Sequence, residues 1–439
     1  MTELALRTDR SPDVRLPRLL AGISYYSVAD LRDHEQQYGP LPLWGAAGRR
    51  RPGRLIDVVD ASGLTGRGGA GFPTGRKMRS VASGSGSAVV VANGAEGEPA
   101  SCKDRLLLTR LPHLVLDGIT LAAHAVGARE AYLCVHGQET ELLGALDHAV
   151  AQRHSAGLDP VPIQVTGIPG RYVASEQSAI VGYLNGGPAK PTFAPLRPHQ
   201  RGVRGRPTLV NNVETLAHLA LIARFGDRWF RGIGLPSAPG STLVTVSGAV
   251  RRPGVYEIEM GTPIGKVVQL AGGPAEQPAA LLVGGYFGAW LLAETAWQVP
   301  MCHAALKAAG GAMGAGMVIV LPVSSCGLAE TARVVRYLAD ENAGQCGPCM
   351  FGLPALADAM ADLAYHGGRG RALERVAWLA GLVDGRGACR HPDGAVQLAR
   401  SALQAFEADA LWHDHRGPCP GVSRAPLLPV PGDADWVWA

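Results

Sequence analysis

The chain has 439 residues, 47% of them hydrophobic and 18% charged, which excludes a disordered chain and allows two or three domains. A formal net charge of +4, without a nucleic-acid-binding motif, predicts no nucleic-acid partner. The longest uncharged run, 308–329, is interrupted by glycines and Pro322, so we expect a buried strand with loops and no membrane span. The first residues lack a secretory signal pattern, so we expect a cytoplasmic protein whose eight cysteines stay reduced and favour metal over disulfides.

The first part of the chain predicts little regular structure. Residues 1–54 are expected to form an N-terminal arm on the first domain, with a short helix within 25–38 that Gly39 and Pro40 end. The apolar residues 55–59 predict a short strand or a helix turn that leads into the next segment.

A glycine-rich stretch, residues 63–77, is called the glycine loop here. Its glycines allow the backbone to approach a ligand closely, and their bare N–H groups can form an anion-binding concavity. Arg67 and Lys77 can add positive charge against a phosphate. A flexible turn is the alternative, but Phe72 and the proline after it, in fixed order with Lys77, favour phosphate binding. A helix that begins at Lys77 would add its N-terminus to the site.

Helices and strands alternate after the glycine loop, which predicts a doubly wound parallel sheet. Asn93, Glu96 and Glu98 follow the first strand, at the edge where open α/β sheets bind ligands; an ordinary acidic turn is the alternative. Residues 172–179 by themselves predict an N-capped helix. The predicted strands and helices, in order, are strand 88–92, helix 113–126, strand 131–135, helix 142–153, strand 161–166 and a helix that ends at Leu184.

The pattern changes near Ser241. A strand at 241–250, a turn, a strand at 255–258 and a helix at 261–271 predict a small α+β module with a packing or docking role. The last third predicts a four-helix bundle, with Asp393 as the N-cap of the last helix. Its helices are predicted at 328–338, 353–363, 373–383 and 395–406.

Three cysteines lie at the joints of these helices and are called the three-cysteine site. Cys346 and Cys349 form a C-x-x-C turn after the first helix, and Cys389 precedes the last. In a reducing compartment this spacing indicates a metal site. A zinc ion and a redox-active cysteine pair are the alternatives.

Several of these segments together resemble the NADH-oxidising flavoprotein subunit of respiratory NADH dehydrogenase (complex I). The same family includes related subunits of NAD-linked hydrogenases and formate dehydrogenases. The resemblance covers roughly residues 55–403. It rests on the glycine loop and on Asn-Gly-Ala-Glu-Gly-Glu-Pro at 93–99, Tyr-Val-Ala-Ser-Glu-Gln-Ser-Ala at 172–179, Lys-Pro-Thr-Phe at 190–193 and Asn-Asn-Val-Glu-Thr at 211–215.

The resemblance implies an α/β fold class with three domains. A Rossmann-like domain that binds FMN and NADH would span 55–235, a β-grasp domain of the soluble-ligand-binding type 240–325, and a helical iron–sulfur domain with its tail 326–439. FMN would contact Gly66, Arg67, Gly68, Gly69, Gly71, Lys77, Asn93, Glu96, Glu176, Asn211, Asn212 and Thr215. NADH would contact Phe72, Glu98, Lys190 and Phe193. A [4Fe–4S] cluster would be bound by Cys346, Cys349 and Cys389.

The chain departs from the family pattern at functional positions. Ala95 replaces an aspartate, Ser175 a glycine and Gln177 a glutamate, while Ala343 replaces the first cluster cysteine. The fourth cluster ligand is therefore open: another residue completes the site, a labile iron lacks a ligand, or the site is empty. The candidates for a replacement ligand are Cys326, His391, His413, His415 and Cys419.

The resemblance implies a subunit that passes electrons from NADH through FMN to an iron–sulfur cluster and a redox partner. No side chain is expected to act as a nucleophile or general base, because the cofactor carries the reaction. The departures indicate a divergent relative with an iron–sulfur or ferredoxin-like partner, or one bound peripherally to a membrane complex. The alternative is a scaffold subunit that kept the fold and lost its cofactors. A flavin-free NAD enzyme would need a standard G-x-G-x-x-G fingerprint, which the sequence lacks.

Overall fold

The computed structural model describes residues 15–21, 23, 30–42, 52–193, 197–367 and 370–431. The helix predicted in the arm is α1 (Leu31–Tyr38), which Asp30 caps and Gly39 ends at φ 72°. The predicted beginning of that helix, residues 25–29, lies outside the described residues, as does most of the arm. The segment before the glycine loop is helical, since α2 spans Pro52–Ser62.

A four-stranded parallel sheet forms the centre of the first domain, in the order β3-β2-β1-β4. Its strands are β1 (Ala88–Asn93), β2 (Ala128–His136), β3 (Ile163–Ile168) and β4 (Thr208–Asn212). The helices around it are α3 (Thr74–Ala82), α4 (Lys103–Arg110), α5 (Pro112–Val126), α6 (Thr140–Ser155), α7 (Gln177–Leu184), α8 (Val213–Phe225) and α9 (Asp227–Phe230). The predicted doubly wound sheet is confirmed.

The sequence of β1 explains its central place. Its valines are buried on both faces, as in a parallel strand covered by helices on each side. Val90 packs into a core shared with α5 and α8, whereas Val89 and Val91 pack on the opposite face with residues of α7. Two hydrophobic layers therefore fix the sheet in position.

A second, five-stranded sheet follows, in the order β10-β9-β11-β7-β8. Only the β7–β11 pair is parallel among its paired strands. This sheet belongs to the second unit of the fold. In chain order, the second unit comprises β5 (Gly234–Leu235), β6 (Ala238–Pro239), β7 (Ser241–Gly248), β8 (Gly254–Glu259), α10 (Ile264–Leu270), β9 (Pro278–Val283), β10 (Ala289–Leu292), α11 (Ala293–Ala296), α12 (His303–Ala308) and β11 (Met317–Pro322). Strand β11 is the buried strand expected within 308–329.

The last third is helical, as predicted, but holds one more long helix than expected. Its helices are α13 (Gly327–Asp340), α14 (Leu353–Ala361), α15 (Ala372–Val383), α16 (His391–Ala405) and α17 (Glu407–Arg416), with π-helical turns at Pro348–Gly352 and Asp362–His366. The prediction that Asp393 caps the last predicted helix is wrong. Helix α16 begins at His391, because Pro392 is tolerated in a first turn, and Asp393 instead accepts hydrogen bonds from Gly385 and Arg390.

No single helix among the described residues is long and apolar enough to cross a membrane. The consecutive helices α4 and α5 are long and apolar enough only when taken together, and they are bent by 96° relative to each other.

Candidate functional site

The first sheet reverses its strand order between β1 and β4. The chain adds β2 and β3 on one side of β1 and then returns to place β4 on the other side. Asn93 at the end of β1 pairs with Asn212 at the end of β4. Ligands of open α/β sheets bind at such a reversal, outside the carboxyl ends of the strands.

The glycine loop connects α2 to α3. The Gly66 N–H donates to the Phe72 carbonyl over 2.9 Å, and the Thr74 N–H donates to Leu64 over 2.9 Å, so the loop is closed at both ends. Gly71 has φ 61°, and a Cβ placed there would lie 2.5 Å from Nε2 of His303. A larger residue would therefore collide with that ring. Helix α3 begins at Thr74 and not at Lys77 as predicted, so Lys77 lies one turn inside the helix.

Arg67 and Lys77, two of the three basic residues of the loop, point into the protein. The Arg67 guanidinium is buried and donates to Thr65 and to the Ser241 carbonyl, while its backbone N–H donates to Thr215 over 2.9 Å. Nζ of Lys77 donates to the Val210 carbonyl of β4, and burial lowers the pKa of this amine to about 8. These contacts hold the loop against β4 and α8, and they differ from the expectation that both charges face a phosphate.

Three amides lie at the ends of β1 and β4. Asn93 donates to the Ser175 carbonyl over 2.8 Å and accepts from the Ala95 N–H over 3.1 Å. Asn212 caps α8 and donates to Asp104 over 2.6 Å. Nδ2 of Asn211 is buried and has no hydrogen-bond partner anywhere in the described part of the chain. A buried amide donor without a partner costs about 1–3 kcal/mol, so this group marks a place for a polar ligand.

Two of the predicted carboxylates cap helices. Glu96 accepts from the backbone N–H groups of Asp104 and Arg105 at the start of α4, at 3.3 and 3.1 Å. Glu176 accepts from Ser178 and Ala179 at the start of α7, at 2.7 and 3.2 Å. Both side chains therefore fix the loops that follow the strands, as N-caps do.

Glu98 is a buried carboxyl between two domains. Oε2 accepts from the Tyr172 hydroxyl at 3.0 Å and from the Tyr286 N–H at 2.9 Å, and Oε1 has no partner within the described residues. Burial raises the pKa of Glu98 to about 7, although the two hydrogen bonds oppose this rise. Gly285 must be glycine here, since its φ is 101° and a Cβ would lie 2.6 Å from Oε2.

A network of buried ion pairs lies next to Asn212 at the end of β4, and the sequence analysis missed this network. Nζ of Lys103 lies 2.6 Å from Asp104 and 3.0 Å from Glu214. Burial opposes a charge on Lys103, but Asp104 and Glu214 outweigh it and raise the pKa of the amine. Lys103 and Asp104 also contact Asn212, so the network orients that amide.

The second unit contributes to the site as well, although the sequence predicted no chemistry for it. His303 lies against Gly71, Gly314 lies against Gly69, and Tyr286 donates to Glu98. No sequence signal marks these residues, because each meets its partner only through the packing of two domains.

Three of the four residues predicted to bind the dinucleotide lie on the surface, whereas the fourth, Glu98, is buried. Phe72 is 51% exposed and Phe193 is 87% exposed, while Lys190 is also exposed. Exposed aromatic rings of this size are available to stack on a planar ligand. A cleft of about 730 Å³ opens beside Phe72 and is lined by Arg76 and His199, away from the polar strand ends.

Cys349 of the three-cysteine site lies in the π-helical turn at Pro348–Gly352. Burial opposes ionisation of Cys346, yet hydrogen bonds from Ala388 and Cys349 lower the pKa of its thiol. Cys389 adds to the negative field that acts on Cys349, whose pKa burial raises to about 11. Ala343, which replaces the first cluster cysteine, is only 2% exposed and donates its N–H to Cys349. Cys346, Cys389 and Ala343 thus all lie near Cys349.

Three candidate replacement ligands lie elsewhere, together in one group. The ligand atoms of Cys326, His413 and Cys419 all lie within 4.8 Å of one another. His391 stays next to the three-cysteine site, since its N–H donates to Cys389, but its Nε2 is bonded to the Leu338 carbonyl at 2.7 Å.

The residues present fit FMN well and fit a four-iron cluster in part. The glycine loop, the strand reversal and the partnerless amide of Asn211 form a polar cradle that a phosphorylated flavin can occupy. Three thiols are the right donors for an iron–sulfur cluster, but the usual fourth cysteine is Ala343.

Three family models match the chain. They are the Nuo51 FMN-binding domain over residues 59–221, the SLBB domain over 243–285 and the NADH-ubiquinone oxidoreductase-F iron-sulfur binding region over 329–413. Fold and site thus define a flavoprotein with an FMN-binding domain joined to an iron–sulfur-binding region.

Similar proteins narrow this class. The second F-type subunit of NADH-quinone oxidoreductase in Rhizobium meliloti is 33% identical over 92% of this chain and 99% of its own length. The F-type subunit of the Escherichia coli K12 oxidoreductase is 30% identical over 86% and 90%. The chain belongs to the family of F-type subunits of NADH-quinone oxidoreductase, which confirms the resemblance stated above.

Two solved structures have the same fold. An NAD⁺-reducing [NiFe]-hydrogenase in the H₂-reduced state gives a TM-score of 0.80 at 30% identity and covers 93% of this chain and 67% of that one. The air-oxidised state gives 0.75 at 33% identity and covers 81% and 62%. This chain thus spans about two thirds of the hydrogenase chains that it matches.

Proposed function

We propose that this protein is an FMN-dependent NADH dehydrogenase subunit, which takes electrons from NADH and delivers them through an iron–sulfur cluster to a partner subunit. The observation that carries the proposal is the partnerless Asn211 amide beside a closed glycine loop at the strand reversal. Family membership supports it, because the relatives are named as F-type subunits of NADH-quinone oxidoreductase.

The backbone N–H groups of residues 68–71 would bind the FMN phosphate, because those of Gly66 and Arg67 already donate to Phe72 and Thr215. Asn93, Asn211 and Asn212, at the carboxyl ends of β1 and β4, would face the rest of the flavin. FMN supplies the chemistry, since it accepts an electron pair from the nicotinamide and releases electrons singly. The predicted contacts of Arg67 and Lys77 become positioning contacts, because both side chains fix the loop from inside.

Glu96, Glu176 and Thr215 also make positioning contacts and not the flavin contacts predicted for them. Each holds a loop of the cradle by hydrogen bonds to backbone N–H groups. We assign them the role of fixing the cradle, so that flavin contacts are made by the backbone and the amides.

Phe72 and Phe193 would stack on NADH, and Lys190 would attract its phosphates. Their exposure supports this role, because a core aromatic would be buried. Glu98 lies behind the cradle with a pKa near 7, so near neutral pH a fraction of it carries no charge. A neutral carboxyl does not repel an anionic dinucleotide.

Cys346, Cys349 and Cys389 would hold the cluster, whose chemistry is the storage of single electrons. Because Ala343 occupies the position of the first cluster cysteine of the family, we propose that these three thiolates alone would hold the cluster and that one iron would be exchangeable. Met350 and Phe351 follow Cys349 directly and are 56% and 72% exposed. We infer that these apolar side chains form part of the docking face for an iron–sulfur or ferredoxin-like partner subunit.

The test is an absorption spectrum of the anaerobically purified protein before and after NADH, with iron and sulfide measured on the same sample. We expect flavin bands that NADH bleaches. A colourless protein that does not take up FMN would refute the proposal and favour the scaffold subunit.

Two variants locate the flavin. Asn211→Leu replaces the partnerless amide with an apolar side chain of the same branching and should lose FMN. Gln164→Leu, which removes an exposed amide on the edge strand β3, should retain it. Equal FMN content in the two variants would show that the strand reversal is not the flavin site.

A further inference from the structure

Three metal-ligating side chains from distant parts of the chain meet away from the three-cysteine site. Cys326 lies at the N-cap of α13, His413 lies in α17, and Cys419 lies at the beginning of the C-terminal tail. Sγ of Cys326 is 3.8 Å from Nε2 of His413, and all three ligand atoms lie within 4.8 Å of one another. This group is called the tail site.

The hydrogen bonds of His413 fix which ring nitrogen faces the sulfurs. Nδ1 lies 3.2 Å from the Leu363 carbonyl, which can only accept, so Nδ1 carries the proton and Nε2 is the acceptor nitrogen. Nε2 accepts from the Cys419 N–H at 3.0 Å. The ring is 0% exposed. A histidine oriented by a backbone carbonyl through its second nitrogen is the usual arrangement of a metal ligand.

The compactness of the tail site distinguishes it from an iron–sulfur site. Ligands of a single ion converge on one point about 2.0–2.3 Å from each donor atom, so their donor atoms lie close together. Ligands of a four-iron cluster surround eight atoms and stand further apart. Two thiolates and one imidazole in a tight group match the donor set that zinc prefers.

We propose that Cys326, His413 and Cys419 bind one divalent metal ion, with zinc as the preferred ion. Binding would displace the Cys419 N–H from Nε2 and release a proton from each thiol, so that two thiolates and the neutral imidazole coordinate the metal. Cys419 is partly exposed, which leaves room for water in the fourth position.

The tail site would fasten the C-terminal tail to the helical domain. Beyond Cys419, the N–H groups of Leu427 and Leu428 donate to the buried Glu330 carboxylate at 2.8 and 3.0 Å. Gly421 packs so closely on the first turn of α13 that a Cβ would lie 2.9 Å from the Cys326 nitrogen. An ion at Cys419 would thus hold the beginning of a tail whose later residues already bind Glu330.

The experiment compares metal content across variants of the full chain, purified anaerobically and dialysed against Zn²⁺. The wild type should retain about one zinc per chain in addition to its iron. Cys326→Ser should lose the zinc and keep the iron, and the matched variant Cys346→Ser should lose iron and keep the zinc. His413→Ala should lose the zinc and His413→Cys should retain it through a third thiolate, which separates a lost ligand from a lost fold.

A second measurement follows the tail. Limited proteolysis should cut after residue 417 faster in Cys326→Ser than in the wild type, and a chelator should produce the same change in the wild type. Zinc that is absent from the wild type, or unaffected by Cys326→Ser, would overturn the proposal. A disulfide between Cys326 and Cys419 in the anaerobic protein would also overturn it, because neither sulfur could then bind a metal.

Discussion

Replacement of Glu98 by glutamine should change how the stability of the protein depends on pH. Burial raises the pKa of this carboxyl from an ordinary value of 4.5 to about 7. The folded protein therefore holds the proton more tightly than the unfolded chain. The contribution of Glu98 to the stability of the folded protein is largest below about pH 4.5. It falls as the pH rises from 4.5 to 7 and does not change above that range.

The size of the effect follows from the two pKa values. The unfolded chain gains from ionisation about 1 kcal/mol more than the folded protein at pH 5, and about 3 kcal/mol more at pH 8. Glutamine cannot ionise and keeps an acceptor oxygen for Tyr172 and Tyr286. Glu98→Gln should therefore gain about 2 kcal/mol relative to the wild type between pH 5 and pH 8.

Guanidinium chloride denaturation of both proteins at the two pH values measures this difference. Glu294→Gln, which removes an exposed carboxylate, is the control and should follow the wild type. Infrared titration should show a protonated-carboxyl band that disappears near pH 7 in the wild type and is missing in Glu98→Gln. Parallel pH profiles for wild type and variant would refute the assignment of a buried, protonated Glu98.

Three further predictions concern the cofactor sites. Ala343→Cys supplies the missing thiolate and should raise air-stable iron from about three to about four atoms per chain, measured with sulfide on the same sample; an unchanged content would mean that Ala343 does not face the cluster. Cys349→Ser should lower bound iron and leave FMN and NADH-driven dye reduction largely intact, because the two sites lie on different domains; loss of flavin together with iron would contradict that separation. Phe193→Ala should raise the KM for NADH about tenfold at constant kcat, since stacking contributes about 1–2 kcal/mol. Phe351→Ala, on the proposed partner face, should leave that KM unchanged, and an equal rise in both variants would argue against stacking at Phe193.

The local patterns of the sequence were sufficient for many of the elements. The valine run of β1 and the three- and four-residue spacing of the helical domain predict structure from neighbours in the chain. The same holds for the order of the parallel sheet's elements and for the position of the glycine loop. Asp393 was misassigned as a cap because a proline beside it permits an earlier helix start.

The sequence by itself determined the fold class, the family and the kinds of donors that a flavin and a cluster require. Tertiary structure decided what each donor does. Arg67 is directed inward by Ser241, and the pKa of Glu98 rises to about 7 because the packing of two domains buries it, although the hydrogen bonds from Tyr172 and from the Tyr286 N–H oppose this rise. Cys326 and Cys419 lie with a histidine in a group of their own and not beside the three-cysteine site. Such contacts join residues far apart in the chain, so their geometry follows from how the domains pack and not from any local pattern.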